Sequence, residues 1–209
     1  MDLLRSWDRA LFLLINNGLQ SPMGDLLFGG FSTLGNSYVI LPLSLAYLYL
    51  RNRKDRLSFL KLSFLFLLGI GLGALFVHLL KLLIERPRPL LYFADQMAQG
   101  QVRVHTLLSE MKDSHSFPSG HAQVAFGVAT GLILLCRKHL FLLITTASLI
   151  SFSRIYVGAH FPIDVIVGGL VGAVYTGITY RVSVILDPSR SLPSSPSLRS
   201  RVNSAKGSG

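Results

Sequence analysis

Cysteine is almost missing from this chain: Cys136 is the one thiol in 209 residues, so no internal disulfide forms and neither a zinc cluster nor a redox pair can be built from thiols. Charge is scarce as well. Only 14% of residues are Asp, Glu, Lys or Arg, against 50% hydrophobic, and the mean hydropathy is +0.51, which excludes an ordinary soluble domain. Acids are the scarcer sign, 10 against 20 Lys and Arg. A basic surplus fits nucleic acid, an anionic membrane surface or phosphorylated substrates, and position separates the three. The basic residues stand in short loops between apolar runs, at Arg51, Arg53, Lys54 and Arg56 and again at Arg137 and Lys138. Cytoplasmic loops of membrane proteins carry them in this way, and no nucleic-acid partner is expected. The opening residues MDLLRSWDRALFLLINNG carry acids early and lack a small-residue cleavage site after a short apolar core, so the expectation is that they are retained.

What the chain has in abundance is apolar runs, and roughly 20 such residues cross a bilayer as a helix. Runs at residues 37–50, 57–84, 119–136, 140–156 and 162–182 predict an all-α integral membrane protein, a helical bundle of about five transmembrane spans. Ahead of them, Leu3, Leu4, Trp7, Leu11, Leu14 and Ile15 recur at helical spacing while Asp2, Arg5, Asp8 and Arg9 fall elsewhere. This pattern predicts a helix lying in the membrane interface, a short first span being the competing reading. Asn16, Asn17, Gly18, Ser21 and Pro22 break that segment, and Gly29, Gly30, Gly35 and Asn36 predict a turn before residue 37. The organisation expected is an N-terminal interfacial segment, 1–36, a membrane domain, 37–186, and a basic Ser/Pro tail, 187–209, whose composition predicts disorder.

Five spans sort the polar residues by side. Lys81 and Arg88 close the second run, Ser119 and His121 open the third, Arg154 and His160 close the fourth, and Asp164 opens the fifth, all on one face. Ionisable residues in or beside spans are costly and are functional candidates by default. The positive-inside rule assigns the loops with Arg51 and Arg137 to the cytoplasm and this cluster to the opposite face, although Arg5 and Arg9 weigh against that orientation. The polar stretch 85–117, rich in Pro, Arg, His and Asp, is too long for a connector and is a place where function is carried.

Lys81, Arg88 and Arg154 converging with two histidines and one acid make a site for a multiply charged oxyanion. Phosphate fits, because guanidinium groups match its oxygens bidentately and an ammonium adds a compact charge. Pro118, Ser119 and Gly120 precede an apolar run, so the first turn of that helix would aim free N–H groups at the anion. Asp164 stands four residues after His160, with Pro162 suited to the first helical position. An acid so placed can hold one imidazole nitrogen and leave the other as a nucleophile. His121 is then the candidate general acid and base. With the cations stabilising the charge of the transition state, no metal and no cofactor is called for.

These residues lie in three segments, KLLIERPRP (81–89), PSGH (118–121) and SRIYVGAHFPID (153–164), and by them the chain resembles the type 2 phosphatidic acid phosphatase (PAP2) superfamily over about residues 37–182. The resemblance implies a PAP2-like helical core and a phosphohistidine formed on His160, oriented by Asp164, with His121 as acid and base. It implies phosphate binding by Lys81, Arg88, Ser119, Gly120 and Arg154. The partner is then a membrane lipid phosphate in the bilayer: undecaprenyl diphosphate, phosphatidylglycerol phosphate, phosphatidic acid or a phosphate of lipid A. The implied location is a bacterial inner membrane with the site on its periplasmic face. Membrane members of the family typically have six spans, so this chain departs from the pattern near residues 1–36. Phosphotransfer to another lipid and non-catalytic lipid-phosphate binding or transport are the alternatives, and the spans argue against a soluble vanadate haloperoxidase.

Other polar residues have plainer readings. His78, His105, His115 and His139 are expected to serve packing or helix pairing. Arg86 reads as a headgroup anchor, with phosphate contact as the competing reading, and Glu85 as a partner for a neighbouring arginine. Phe152, Tyr156 and Phe161 read as interface belt or core.

Overall fold

The computed structural model describes residues 2–107, 115–136 and 139–186, and these are helices joined by short turns and one longer segment. The predicted tail, 187–209, and Arg137 and Lys138 lie outside the described residues. Helix α1 runs Asp2–Gly18, α2 Pro22–Leu34, α3 Ser37–Asn52, α4 Arg56–Ile84, α5 Pro89–Tyr92, α6 Ala94–Ala98, α7 Gly120–Cys136, α8 Leu140–Tyr156 and α9 Pro162–Leu186.

Local chemistry sets the ends. Ser21 caps α2 by accepting from the Gly24 amide, with Pro22 in the first turn, where its missing N–H costs nothing. Asp55 caps α4 through the Ser58 amide at 3.0 Å. At the other end of α4 the exposed Glu85 adopts the left-handed conformation, φ 46°, which stops the helix. The predicted turn at Gly35 and Asn36 is where α2 and α3 meet, bent by 67°, whereas Gly29 and Gly30 stay helical.

Helix α7 is the centre of the bundle, with α3, α4, α8 and α9 around it. Ala125, Val128, Ala129 and Leu132 of α7 join Phe66 and Ile70 of α4, Leu48 of α3 and Ile150 of α8 in the main core. Gln123, buried in α7, donates to the carbonyl of Ile70 at 3.0 Å, so the polar side chain is satisfied inside the bundle.

The outside is apolar: Phe64 and Leu83 of α4, Phe141 of α8 and Ile185 of α9 are exposed. Each predicted run is a helix, but by length and composition two helices, α4 and α9, are suited to crossing a membrane, or three if the bent pair α2–α3 is one span. The reason is length. Helices α7 and α8 have 17 residues each and α3 has 16, about 24–26 Å at 1.5 Å per residue, short of a hydrocarbon core of about 30 Å.

Helix α1 turns one of its predicted polar residues, Asp8, inward and leaves Arg5 exposed. Asp8, Phe12 and Asn16, one stripe at four-residue spacing, are buried, while Leu3, Leu4, Trp7 and Leu14 are exposed. Asn16 ties this helix to the bundle: its Nδ2 donates to the carbonyls of His105 and Tyr156, and its Oδ1 accepts from the His105 amide.

Candidate active site

The C-terminal ends of α4 and α8 and the N-terminal ends of α7 and α9 meet, and the segment 85–107 together with 115–119 closes over them. Four alternating helices deliver residues far apart in sequence to one place. Backbone bonds knit the junction: the Ser119 amide donates to the Asp164 carbonyl at 2.8 Å, and the amides of Ala159 and His160 both donate to the Arg154 carbonyl. The Ser119 amide is therefore spent on α9, so of the residues expected to offer free N–H groups to an anion, Gly120 and His121 remain for that role.

His160 is 2% exposed, in the turn between α8 and α9. Its Nδ1 lies 3.7 Å from Asp164 Oδ2, beyond hydrogen-bond distance. Burial pushes the His160 imidazole down to about 4; Asp164 opposes that shift, and Arg88 and Arg154 add to it. The ring is thus neutral at physiological pH, the form a nucleophile needs.

Asp164 is fully buried and anchored on three sides. Ser116 Oγ donates to its Oδ2 at 2.6 Å, the Phe161 amide donates to the same oxygen at 2.9 Å, and Arg86 Nη1 donates to Oδ1 at 2.6 Å. Arg86 is no headgroup anchor: its Nη2 pairs with Asp8 of α1 at 2.5 Å, and its guanidinium lies 4.1 Å above the Phe161 ring.

The predicted cations line the same space. Lys81 Nζ donates to the His115 carbonyl at 2.6 Å and feels the charges of Arg88, Asp164 and Arg154. Arg88 Nη1 donates to the Ala159 carbonyl at 3.3 Å, next to His160; burial lowers the pKa of this guanidinium, and Asp164 opposes that. Arg154, 6% exposed, donates from Nη1 to Ser32 of α2. His121, half-buried, lies in the combined field of Arg154, His160, Arg88 and Lys81, and its Nε2 is 2.8 Å from Asn36 Oδ1.

All the site residues expected from the sequence are thus brought together. Asp8, Ser32, Asn36, Arg86 and Ser116 are not among them; Ser32, Asn36, Arg86 and Ser116 each bond to one that is, and Asp8 bonds to Arg86. Arg86 stands inside a recognised segment, but nothing in the sequence marks Asp8 or Asn36. His105 meets Asp25 at 2.9 Å, and Asp25 also accepts from the Tyr156 hydroxyl, a structural cluster beside the site. Among the described residues no group of three His, Cys, Asp or Glu is placed to hold a metal ion. A groove of about 510 Å³ between α4 and α9, lined by Lys61, Phe64, Leu68 and Ile178, contains none of the site residues.

The family model of the PAP2 superfamily matches residues 61–186, which include every catalytic candidate. The chain belongs to the PAP2 superfamily. A relative from Sulfolobus acidocaldarius, named undecaprenyl-diphosphatase, is 34% identical over 166 residues, 78% of this chain and 72% of its own. The lipid A 4'-phosphatase of Bacteroides thetaiotaomicron is 27% identical over 169 residues, 77% of this chain and 70% of its own. The PAP2 fold is shared with solved structures. Aquifex aeolicus LpxE superimposes with a TM-score of 0.64 at 34% identity, over 82% of this chain and 93% of that one. The transmembrane PAP2-type phosphatidylglycerolphosphate phosphatase of Bacillus subtilis does so with a TM-score of 0.69 at 26% identity, over 88% and 87%. With these membrane-type PAP2 relatives and its own apolar helices, the chain is an integral membrane protein.

Proposed function

We propose that this protein is a metal-independent lipid phosphatase that hydrolyses a phosphomonoester or diphosphate of a membrane lipid through a phosphohistidine on His160. The observation that carries the reading is a buried imidazole 3.7 Å from a buried carboxylate, surrounded by Lys81, Arg88 and Arg154 at the junction of four helices. Cations fixed where charge develops stabilise a phosphoryl transition state without reorganisation.

In the first step His160 Nε2 attacks phosphorus, the bond from phosphorus to the leaving oxygen breaks, and His121 protonates that oxygen. Asp164, 3.7 Å from Nδ1, stabilises the imidazolium side of the intermediate by its charge. In the second step His121 takes a proton from water, the water oxygen bonds to phosphorus, and the P–N bond breaks to release phosphate. Asn36 Oδ1 calls for a proton on His121 Nε2, which leaves Nδ1 to exchange the proton with substrate. Gly120 and His121 amides and the Ser119 turn complete the phosphate cradle.

The lipid tail stays in the bilayer while the headgroup reaches the helix ends. The substrate class is supported by relatives named undecaprenyl-diphosphatase and lipid A 4'-phosphatase, with undecaprenyl diphosphate put first because the names of several relatives carry it. The loop basic residues support a site on the extracytoplasmic face of a bacterial inner membrane. The test is phosphate release by purified protein in detergent, with EDTA present, across undecaprenyl diphosphate, phosphatidylglycerol phosphate, phosphatidic acid and lipid A, beside His160→Ala. Release by the parent alone is expected. A phosphorylated acceptor lipid without free phosphate would make it a phosphotransferase, and substantial release by His160→Ala would remove His160 as nucleophile.

A further inference from the structure

One buried acid outside the three recognised segments has two bonds that both lead to the reacting pair. Asp8, on the inward stripe of α1, has a side chain 1% exposed. Its Oδ2 meets Arg86 Nη2 at 2.5 Å, and its Oδ1 accepts from the Ile163 amide at 2.9 Å. Arg86 passes its other terminal nitrogen to Asp164 Oδ1 at 2.6 Å. Ile163 is the residue directly before Asp164, in the first turn of α9, where amides have no partner within the helix. Asp8 therefore grips Asp164 by its side chain, through Arg86, and by its backbone, through Ile163.

We propose that Asp8 is a positioning residue of the reaction, holding the Asp164 carboxylate, and through it the His160 ring, in the orientation needed for attack on phosphorus. The proposal rests on the reading of His160 as nucleophile. Arg86 alone would not suffice. A guanidinium 22% exposed with one partner is free to swing toward the phosphate or the headgroup region, whereas between two carboxylates, and stacked on Phe161, its plane is fixed. The bond from Ser116 fixes the opposite edge of Asp164, so both edges of the carboxylate are held.

The proposal also gives α1 a task. Its exposed Leu3, Leu4, Trp7 and Leu14 form the face suited to lipid, and the same helix carries Asp8 on the side turned to the site. A helix that only anchored the chain would have no need of a buried acid, since burying a charge is unfavourable unless it is paired.

The test uses the full-length protein in detergent, with Asp8→Asn, Asp8→Glu and Arg86→Gln and the double variant Asp8→Asn/Arg86→Gln. The asparagine keeps an oxygen for the Ile163 amide and removes the charge facing Arg86. For Asp8→Asn the rate of first-product release in a single turnover is expected to fall about 100-fold, the loss that a displacement of about 1 Å brings, with KM within about threefold of the parent. The double variant is expected to lose little more than either single one, because both cut the same chain. Asp8→Glu, which restores the charge, is expected to recover part of the rate.

A second measurement needs no turnover. Orthovanadate takes up its five-coordinate form only with a bond from the His160 nitrogen, while inorganic phosphate needs the cations alone. Asp8→Asn is expected to weaken orthovanadate binding at least tenfold and leave inorganic phosphate binding within about threefold. If parent and Asp8→Asn bind both anions equally, or Asp8→Asn turns over at the parent's rate, the proposal is overturned. A uniform loss of both anions with a lowered Tm would also overturn it, by making Asp8 merely structural. If the parent hydrolyses no lipid yet loses orthovanadate alone on Asp8→Asn, the positioning role stands and the phosphatase reading falls.

Discussion

His160 Nδ1 and Asp164 Oδ2 stand 3.7 Å apart, and the carboxylate has one place left to fill. A carboxylate offers about four lone-pair sites; Ser116, the Phe161 amide and Arg86 take three. Two of the three bonds are on Oδ2, the oxygen nearer the imidazole, and the open site is on Oδ1, so Asp164 acts on the ring by its charge across 3.7 Å. Asp164→Asn supplies a single acceptor oxygen and turns an NH2 toward donors, so the amide satisfies one edge at the expense of the other. The expected loss in kcat is about 10³-fold or more, the scale seen when an orienting carboxylate becomes an amide, with the helical circular dichroism retained. A loss below about tenfold in folded protein would show that Asp164 does not orient His160.

The acidity of His160 gives a second prediction, and its sign follows from burial. The folded-state value of about 4 lies below the ordinary 6.5, so between these two pH values the unfolded chain binds the extra proton and the folded one does not. Stability from this group is present above pH 6.5 and is lost progressively as the pH falls toward 4. Histidine-selective NMR in detergent is expected to show the His160 ring neutral at pH 6, and Tm to depend less on pH across this window in His160→Gln. A His160 resonance titrating at or above 6.5 would contradict the neutral nucleophile.

Much of the fold and of the site is legible in the sequence, for identifiable reasons. The apolar run 140–156 coincides with α8 because charge-poor sequence between a basic loop and an arginine-containing end leaves no other boundary. His121, His160 and Asp164 are legible because ionisable groups at helix ends are too costly to be incidental. Asp8 is not, since one acid on an amphipathic helix looks like a solvated residue until its inward stripe is seen. Asn36 reads as a turn residue, which it is; that the turn carries it to His121 depends on the 67° bend between α2 and α3. Hydropathy locates apolar runs, but α3, α7 and α8 stop short of a membrane's thickness, a matter of where helices end.

Asn36 provides a test of the acid and base. Its oxygen, 2.8 Å from His121 Nε2, holds the ring by the nitrogen turned away from the proposed proton transfer. Asn36→Leu removes the acceptor and leaves the tautomer unspecified, with an expected loss of about 10–100-fold in kcat, as for other partners that orient a functional histidine. The loss should be smaller for a substrate whose leaving group needs no protonation, such as an aryl phosphate with a strongly acidic phenol. An equal loss for both substrates would assign Asn36 to the fold.

In the proposed mechanism Lys81, Arg88 and Arg154 supply the charge that a divalent ion supplies in other phosphatases. Turnover is therefore expected to be unchanged, within about twofold, by millimolar EDTA, whereas Arg154→Gln is expected to cost about 10²–10³-fold in kcat/KM, the scale for one donor lost to a developing charge. Loss of activity in EDTA that added Mg²⁺ restores would overturn the metal-independent reading.

Gly168 links the packing of the bundle to its chemistry. A Cβ at this position of α9 would lie 2.2 Å from the Ser119 carbonyl oxygen, a backbone atom that no side-chain movement can clear. Helices α7 and α9 approach closely here, and Ser119 and Asp164 share a backbone bond across the same contact. Gly168→Ala must push the helices apart, at about 1–3 kcal/mol for overpacking, and it moves the Ser119–His121 turn away from Asp164. Both Tm in detergent and kcat should fall. Gly177, on the same helix, has open space around it, with nothing within 4 Å of the place an alanine methyl group would take. Gly177→Ala should leave kcat unchanged and raise Tm slightly, because alanine favours the helix by about 1 kcal/mol. If Gly168→Ala matched Gly177→Ala in both measurements, the close approach of α7 and α9 would not be what sets the site.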